Sequence, residues 1–126
     1  MSKHIRHGKG AVRPYLYGKP DLPDFVREVF GAKEVERLPV GKGFHVEAQI
    51  GDSMIVIEAG ESFPPSAALT KSSTYVYVDD VDAAYKRAIE MGAMSITPPE
   101  NKPYQERACG VKDSFGNIWW IATYTG

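Results

Sequence analysis

The feature that most constrains this chain is a pattern that occurs twice, about sixty residues apart (Tyr15 to Tyr75). Tyr15-Leu16-Tyr17 precedes an Asp/Pro-rich entry, an apolar stripe of Phe25, Val26 and Val29, and then Gly31-Ala32. Tyr75-Val76-Tyr77 precedes an Asp-rich entry, a stripe of Tyr85, Ala88 and Ile89, and then Gly92-Ala93. Later in each copy an Asp-Ser pair, Asp52-Ser53 or Asp113-Ser114, opens an apolar run. Two copies of one β-α-β-β-β unit account for this arrangement.

Local signals agree with the division. Residues 74–78 alternate β-branched and aromatic bulk, as a half-buried strand does. Asp79, Asp80 and Asp82 put carboxylates in the first turn of the next helix, where they complement its dipole, and Asp80 is its expected N-cap. Val81, Ala84, Tyr85, Ala88 and Ile89 form a stripe that can lie on a sheet, and Gly92 closes the helix. In the first copy, residues 12–17 read as a strand, and Pro20 and Pro23 bracket the start of a helix over 23–30. Residues 33–38 and 54–59 are further strands. Between them, residues 44–50 alternate Phe44, Val46, Ala48 and Ile50 against His45, Glu47 and Gln49. Module one is thus 11–60 and module two 73–124, joined by a linker over 61–72 that contains Pro64-Pro65. Residues 97–105, rich in proline, read as a loop, and 113–117 as the turn before a strand over 118–123. Residues 1–10 have no apolar periodicity and are expected to be a mobile leader before a single domain over 11–126.

At 126 residues the chain can bury roughly two-thirds of its unfolded surface in one unit. A formal net charge of −1 gives no electrostatic case for nucleic acid or an anionic membrane. One cysteine, Cys109, excludes an internal disulfide framework and a cysteine-rich zinc site. It has no reactive motif around it and reads as an inert small residue. No apolar run approaches the roughly twenty residues of a membrane span, and no secretory segment is present, so a cytoplasmic protein is expected.

The segments VYVDDVDAAYKRAIEMGA and PPENKPYQERACGVKDSFGNIWWIAT resemble the vicinal oxygen chelate superfamily, which includes glyoxalase, bleomycin-resistance and dioxygenase proteins. More narrowly they resemble its PhnB-like, glyoxalase-like subgroup. The first half is similar through Pro14-Tyr15-Leu16, Phe30-Gly31-Ala32 and His45-Val46-Glu47. The resemblance implies an α+β fold of two tandem βαβββ modules, forming a cup-shaped mixed sheet with helices on the outer face. It also implies that dimerisation commonly completes the cup. A homodimer is therefore expected, which would also protect exposed sheet edges.

In metal-dependent relatives, four ligands (His, Glu or Gln) converge on one ion from strands of both modules. Carried onto this chain by the resemblance, those positions fall at Arg13 or Pro14, near Glu58, at Ser73 and at Trp120. One suitable donor of four is a poor metal site, so no metal and no other cofactor is expected. The aromatic set points elsewhere. Tyr75 and Tyr77 share a face with Ser73, and Trp120 shares one with Ile118, while Trp119 and Ile121 turn toward the helices. Such a lining binds flat or apolar molecules by area burial and stacking.

The expected ligand-binding residues are Tyr75, Tyr77, Trp120, Tyr104, Arg107 and Gln49. Arg107 has two readings, a carboxylate or phosphonate clamp and a structural pair at the hairpin. The favoured function is metal-independent binding of an apolar or aromatic small molecule. The alternative is a glyoxalase-like lyase or isomerase that uses one divalent ion with His45, Glu47 and Glu58. Those side chains share a strand face or meet across a hairpin, a face that lines the cup or points to solvent.

Overall fold

The computed structural model, which describes residues 4–63 and 71–126, turns the alternating runs into strands and the striped runs into helices. In chain order these are β1 (Tyr15–Gly18), α1 (Leu22–Phe30), β2 (Lys33–Val40), β3 (Gly43–Ile50), β4 (Ser53–Ala59), β5 (Ser73–Tyr77), α2 (Val81–Glu90), β6 (Met94–Lys102), β7 (Glu106–Lys112) and β8 (Ile118–Tyr124). One sheet has the order β1-β4-β3-β2 and the other β5-β8-β7-β6. In each, the first strand of the module runs parallel to its last and the other pairs are antiparallel. Identical order in both sheets is the expected tandem βαβββ, α+β architecture.

The helices start and stop where the chain dictates. The Asp80 side chain accepts the Ala83 amide at 3.1 Å, capping α2, as its short polar side chain suits it to do. Gly31, at φ +68°, ends α1 in the left-handed region with its amide on the Arg27 carbonyl, a conformation that glycine reaches at little cost.

Both modules share one core. Leu16, Val46 and Ile57 of the first sheet are fully buried on its helix side, as are Val111, Trp119 and Ile121 of the second. The Trp119 ring lies 5.0 Å from Phe30 and 6.2 Å from Phe25, centroid to centroid. Both phenylalanines belong to the first module, so the largest buried side chain of one half is packed by the helix of the other. Burying rings of this size dominates core energetics. Arg87 of α2 adds a polar tie, donating to the Glu28 and Val29 carbonyls near the end of α1. Those carbonyls have no intrahelical partner.

Two stretches differ from expectation, and a third is described for the first time. Residues 97–102 are part of β6 rather than a loop. Pro98 and Pro99 fall where the register skips from Thr97↔Gly110 to Glu100↔Ala108, on an edge strand where missing amides interrupt no central ladder. β1 begins at Tyr15, because Val12 is exposed and Arg13 is turned to other partners. Finally, Arg6–Gly8 forms a short 3-10 turn. Arg6 and His7 both meet the Glu36 carboxylate. Arg13 donates to the Lys9 and Gly10 carbonyls, so these residues run along the first sheet. Pro64-Pro65 of the expected linker lies outside the described residues.

No helix among the described residues is long and apolar enough to cross a membrane.

Candidate binding site

Strand register decides which side chains share the helix-free face of the second sheet. Tyr75 pairs with Trp120 and Trp120 with Gly110, while Tyr77 pairs with Ala122 and Ala122 with Ala108. Paired residues stand on one face. This face therefore has aromatic residues above a floor of Gly110, Ala108 and Ala122. A Cβ on Gly110 would stand 2.5 Å from the Trp120 ring, so the indole lies where only glycine admits it. A cavity of about 280 Å³ opens here, lined by Tyr75, Thr97, Lys102, Tyr104, Ala108, Cys109 and Trp120.

The polar ends of these rings are tied down. The Trp120 indole N–H donates to Ser73 Oγ at 3.1 Å. Tyr75 and Tyr77, with ring centroids 5.4 Å apart and planes at 60°, both donate their hydroxyls to the Glu106 carboxylate. Burial and the negative charge of Glu106 push the Tyr75 phenol above its ordinary range. For Tyr77 the hydrogen bond to Glu106 is the first cause of a rise. In return the two hydroxyls hold Glu106 below the usual carboxylate range. Ionisable groups respond to their partners in this way whenever the bond favours one protonation state.

The helix-free face of the first sheet is polar. Register places Glu58 opposite both Tyr17 and His45, and Val56 opposite both Tyr15 and Glu47. His45 Nδ1 bonds Glu58 and Nε2 bonds Glu47. Glu47, 3% exposed, also takes the Arg13 guanidinium at 2.5 Å. Burial opposes charge on His45, but the bonds to Glu58 and Glu47 outweigh it and raise its pKa. A carboxylate stands on each ring nitrogen, so both nitrogens are already engaged in hydrogen bonds within the cluster. Tyr15 is raised too, by burial first and then by Glu58. A separate cleft of about 610 Å³ borders this face, lined in part by Tyr15, Tyr17, Phe44, Glu58 and Phe63.

The expected site residues thus divide. Tyr75, Tyr104 and Trp120 line one cavity, and Tyr77 adjoins Tyr75. Arg107 is not among them. It stands on the helix side of β7, where it makes a two-pronged pair with Asp82 of α2 at 2.8 and 2.9 Å and holds its carboxyl below the usual range. Gln49 shares the face of His45, but its amide is spent on the Gly51 carbonyl at 2.8 Å. His45, Glu47 and Glu58 do come together, on the first sheet and away from Trp120. Cys109 is buried, which pushes its thiol up to about 11. Glu106 was missed by sequence reasoning. Its one signal was its place two residues before Ala108 on the strand facing Trp120, and that strand's register is not written in composition.

The four positions carried over by the resemblance do not make up a metal donor set. The first falls at Arg13, a guanidinium paired with Glu47, or at Pro14, which has no donor side chain, and Ser73 and Trp120 are hydrogen-bonded to each other. The fourth, Glu58, is committed to His45. Among the described residues no group of three or more His, Cys, Asp or Glu side chains is placed to hold an ion.

Residues 22–121 match the family profile of the Glyoxalase/Bleomycin resistance protein/Dioxygenase superfamily. The chain belongs to that superfamily. It is 31% identical over 106 residues to an uncharacterized protein of Mycobacterium bovis, covering 76% of this chain and 70% of that protein. A Mycobacterium tuberculosis relative is equally similar, and the match spans 62% of its length. Among solved structures, TioX from Micromonospora sp. ML1 is 28% identical with a TM-score of 0.68, covering 90% of this chain and 95% of that one. FosX from Listeria monocytogenes, solved with Mn(II) and sulfate, has the same fold at 17% identity and a TM-score of 0.68, with 93% of each chain covered.

Proposed function

We propose that this chain is a metal-independent small-molecule binding protein of the bleomycin-resistance type, within the PhnB-like branch, acting in the cytoplasm as a homodimer. Its ligand is apolar or aromatic and rests against Tyr75, Tyr77, Tyr104 and Trp120. The observation that carries this reading is the Ser73–Trp120 hydrogen bond. Two positions that hold ligands in metal-dependent relatives are here an indole and the hydroxyl that anchors it. The resulting surface offers stacking and area burial in place of Lewis acidity. The cavity at Trp120 is lined from the second module and the cleft at Glu58 from the first. A second chain is what would set one against the other.

The metal-dependent lyase or isomerase remains as a second reading, since His45, Glu47 and Glu58 meet in one cluster. It requires that cluster to open, because the imidazole is saturated. One experiment separates the two. Protein truncated before Ala11, so that His4 and His7 are removed, is assayed for bound metal and for thermal shifts with Ni²⁺, Mn²⁺, Fe²⁺ and Zn²⁺. The expected result is no stoichiometric ion and no shift. Trp120→Ala should weaken a bound aromatic dye about tenfold. A metal-induced shift abolished by Glu58→Gln would install the enzyme reading instead.

A further inference from the structure

The aromatic face spends its hydrogen-bond donors internally. The Tyr75 and Tyr77 hydroxyls donate hydrogen bonds to Glu106, and the Trp120 indole N–H donates to Ser73. β8 lies between β5 and β7, so the tyrosines span a strand to reach the carboxylate, and Ala122 opposite Tyr77 leaves the room. Glu106 is 8% exposed, and among the described residues its bonding partners are these two hydroxyls. Lys102, directly across the strand pair from Glu106, is paired with Glu100. The arrangement therefore joins one buried carboxylate to two rings that remain 46% and 60% exposed.

We propose that Glu106 is the positioning residue of the binding face and sets its selectivity. It fixes two tyrosine rings while withholding their hydroxyls, so a ligand meets ring surface and no donor from Tyr75, Tyr77 or Trp120. The ligand class is narrowed accordingly. It consists of aromatic compounds whose portion against these three rings has no hydrogen-bond acceptor to satisfy. A polar substituent must instead face Tyr104 or Lys102, which also line the cavity. An acceptor aimed at the three rings would be desolvated without a partner, which selects against it. Holding two side chains in place before binding also spares their ordering cost on complex formation.

This inference rests on the aromatic-ligand reading above, and its test keeps the two apart. The probe is N-phenyl-1-naphthylamine, a neutral dye that brightens in apolar sites, titrated into the full chain and its variants. Glu106→Ala should weaken it about tenfold, from the freedom regained by two side chains. Glu106→Gln, whose amide can still engage both hydroxyls, should stay within about threefold. Tyr75→Phe with Tyr77→Phe should match Glu106→Ala, and the triple variant should lose no more, because all three remove one tether.

An ultraviolet titration of phenolate absorbance follows the two tyrosines directly. The raised tyrosine ionisations of the parent should fall back in Glu106→Ala. Parent binding that Trp120→Ala weakens but Glu106→Ala does not overturns the positioning role and leaves the aromatic-ligand reading standing. So do additive losses from the tyrosine and Glu106 variants. Absence of dye binding to the parent overturns both. If Glu106→Ala fails to fold, the Tyr75→Phe/Tyr77→Phe protein alone decides. Wild-type affinity in that protein refutes the tether.

Discussion

Asn117→Ala should be among the most damaging single changes in this chain. Asn117 is fully buried in the turn between β7 and β8. Its amide nitrogen donates to the Tyr17 carbonyl at 2.9 Å, a hundred residues away, and to Asp113 Oδ2 at 3.1 Å. Its oxygen accepts the Ser72 amide at 2.9 Å. Three hydrogen bonds at about 1 kcal/mol each give about 3 kcal/mol. Leaving the Tyr17 carbonyl or Ser72 amide unpaired brings the loss to about 3–5 kcal/mol. Against a total of about 5–15 kcal/mol for a domain, that is a large share. For a chain of this size it corresponds to a fall of about 10–20 °C in melting temperature. Urea unfolding followed by tryptophan emission measures it, with the slope unchanged if the two states keep their compactness. Asn101→Ala is the control. Asn101 is exposed and makes a single 3.3 Å contact with Arg107, so its loss should stay within about 0.5 kcal/mol. A loss below about 1 kcal/mol for Asn117→Ala would refute the claim that this side chain ties the modules together.

Two further outcomes follow. The raised pKa of His45, produced by Glu58 and Glu47 against the opposing effect of burial, means that the folded state binds its proton more tightly than the unfolded chain. That contribution to stability is complete below the unfolded value of about 6.5 and is lost as pH rises through the folded one. Urea midpoints of the parent should therefore drift downward above neutral pH relative to those of His45→Gln, and parallel curves would remove His45 from the balance. Arg107→Ala should release the Asp82 carboxyl from its depressed range and lower the melting temperature slightly without touching dye affinity. A tenfold loss of binding would restore Arg107 as a ligand clamp.

The duplicated pattern made the architecture legible because periodicity in sheets and helices is carried by side chains whose alternation is local. Trp119 and Trp120 could be assigned to opposite faces on that basis alone, and the register agrees. What stayed hidden was pairing between strands far apart in sequence. Glu106 serves Tyr75 and Tyr77 through bonds spanning about thirty residues. Arg107 reaches α2 because the alternation of β7 turns it away from its neighbour Glu106. The proline-rich run was misread for a related reason. Proline excludes a central strand by removing a donor, but an edge strand with a register skip tolerates it. The polar cluster on the first sheet was visible as spacing, yet its saturation by mutual bonds is a property of geometry.

The margins of the two sheets carry one more consequence. The outer strand of each sheet away from its module's first strand contains proline, Pro39 in β2 and Pro98 and Pro99 in β6, whereas β1 and β5 contain none. Each proline removes an amide from an outer strand, and an edge that carries proline resists pairing with further chains. Propagation by recruitment of further backbone is thereby obstructed on two borders and permitted on the two others. Any assembly these molecules build through their strands is thereby confined to the borders of β1 and β5.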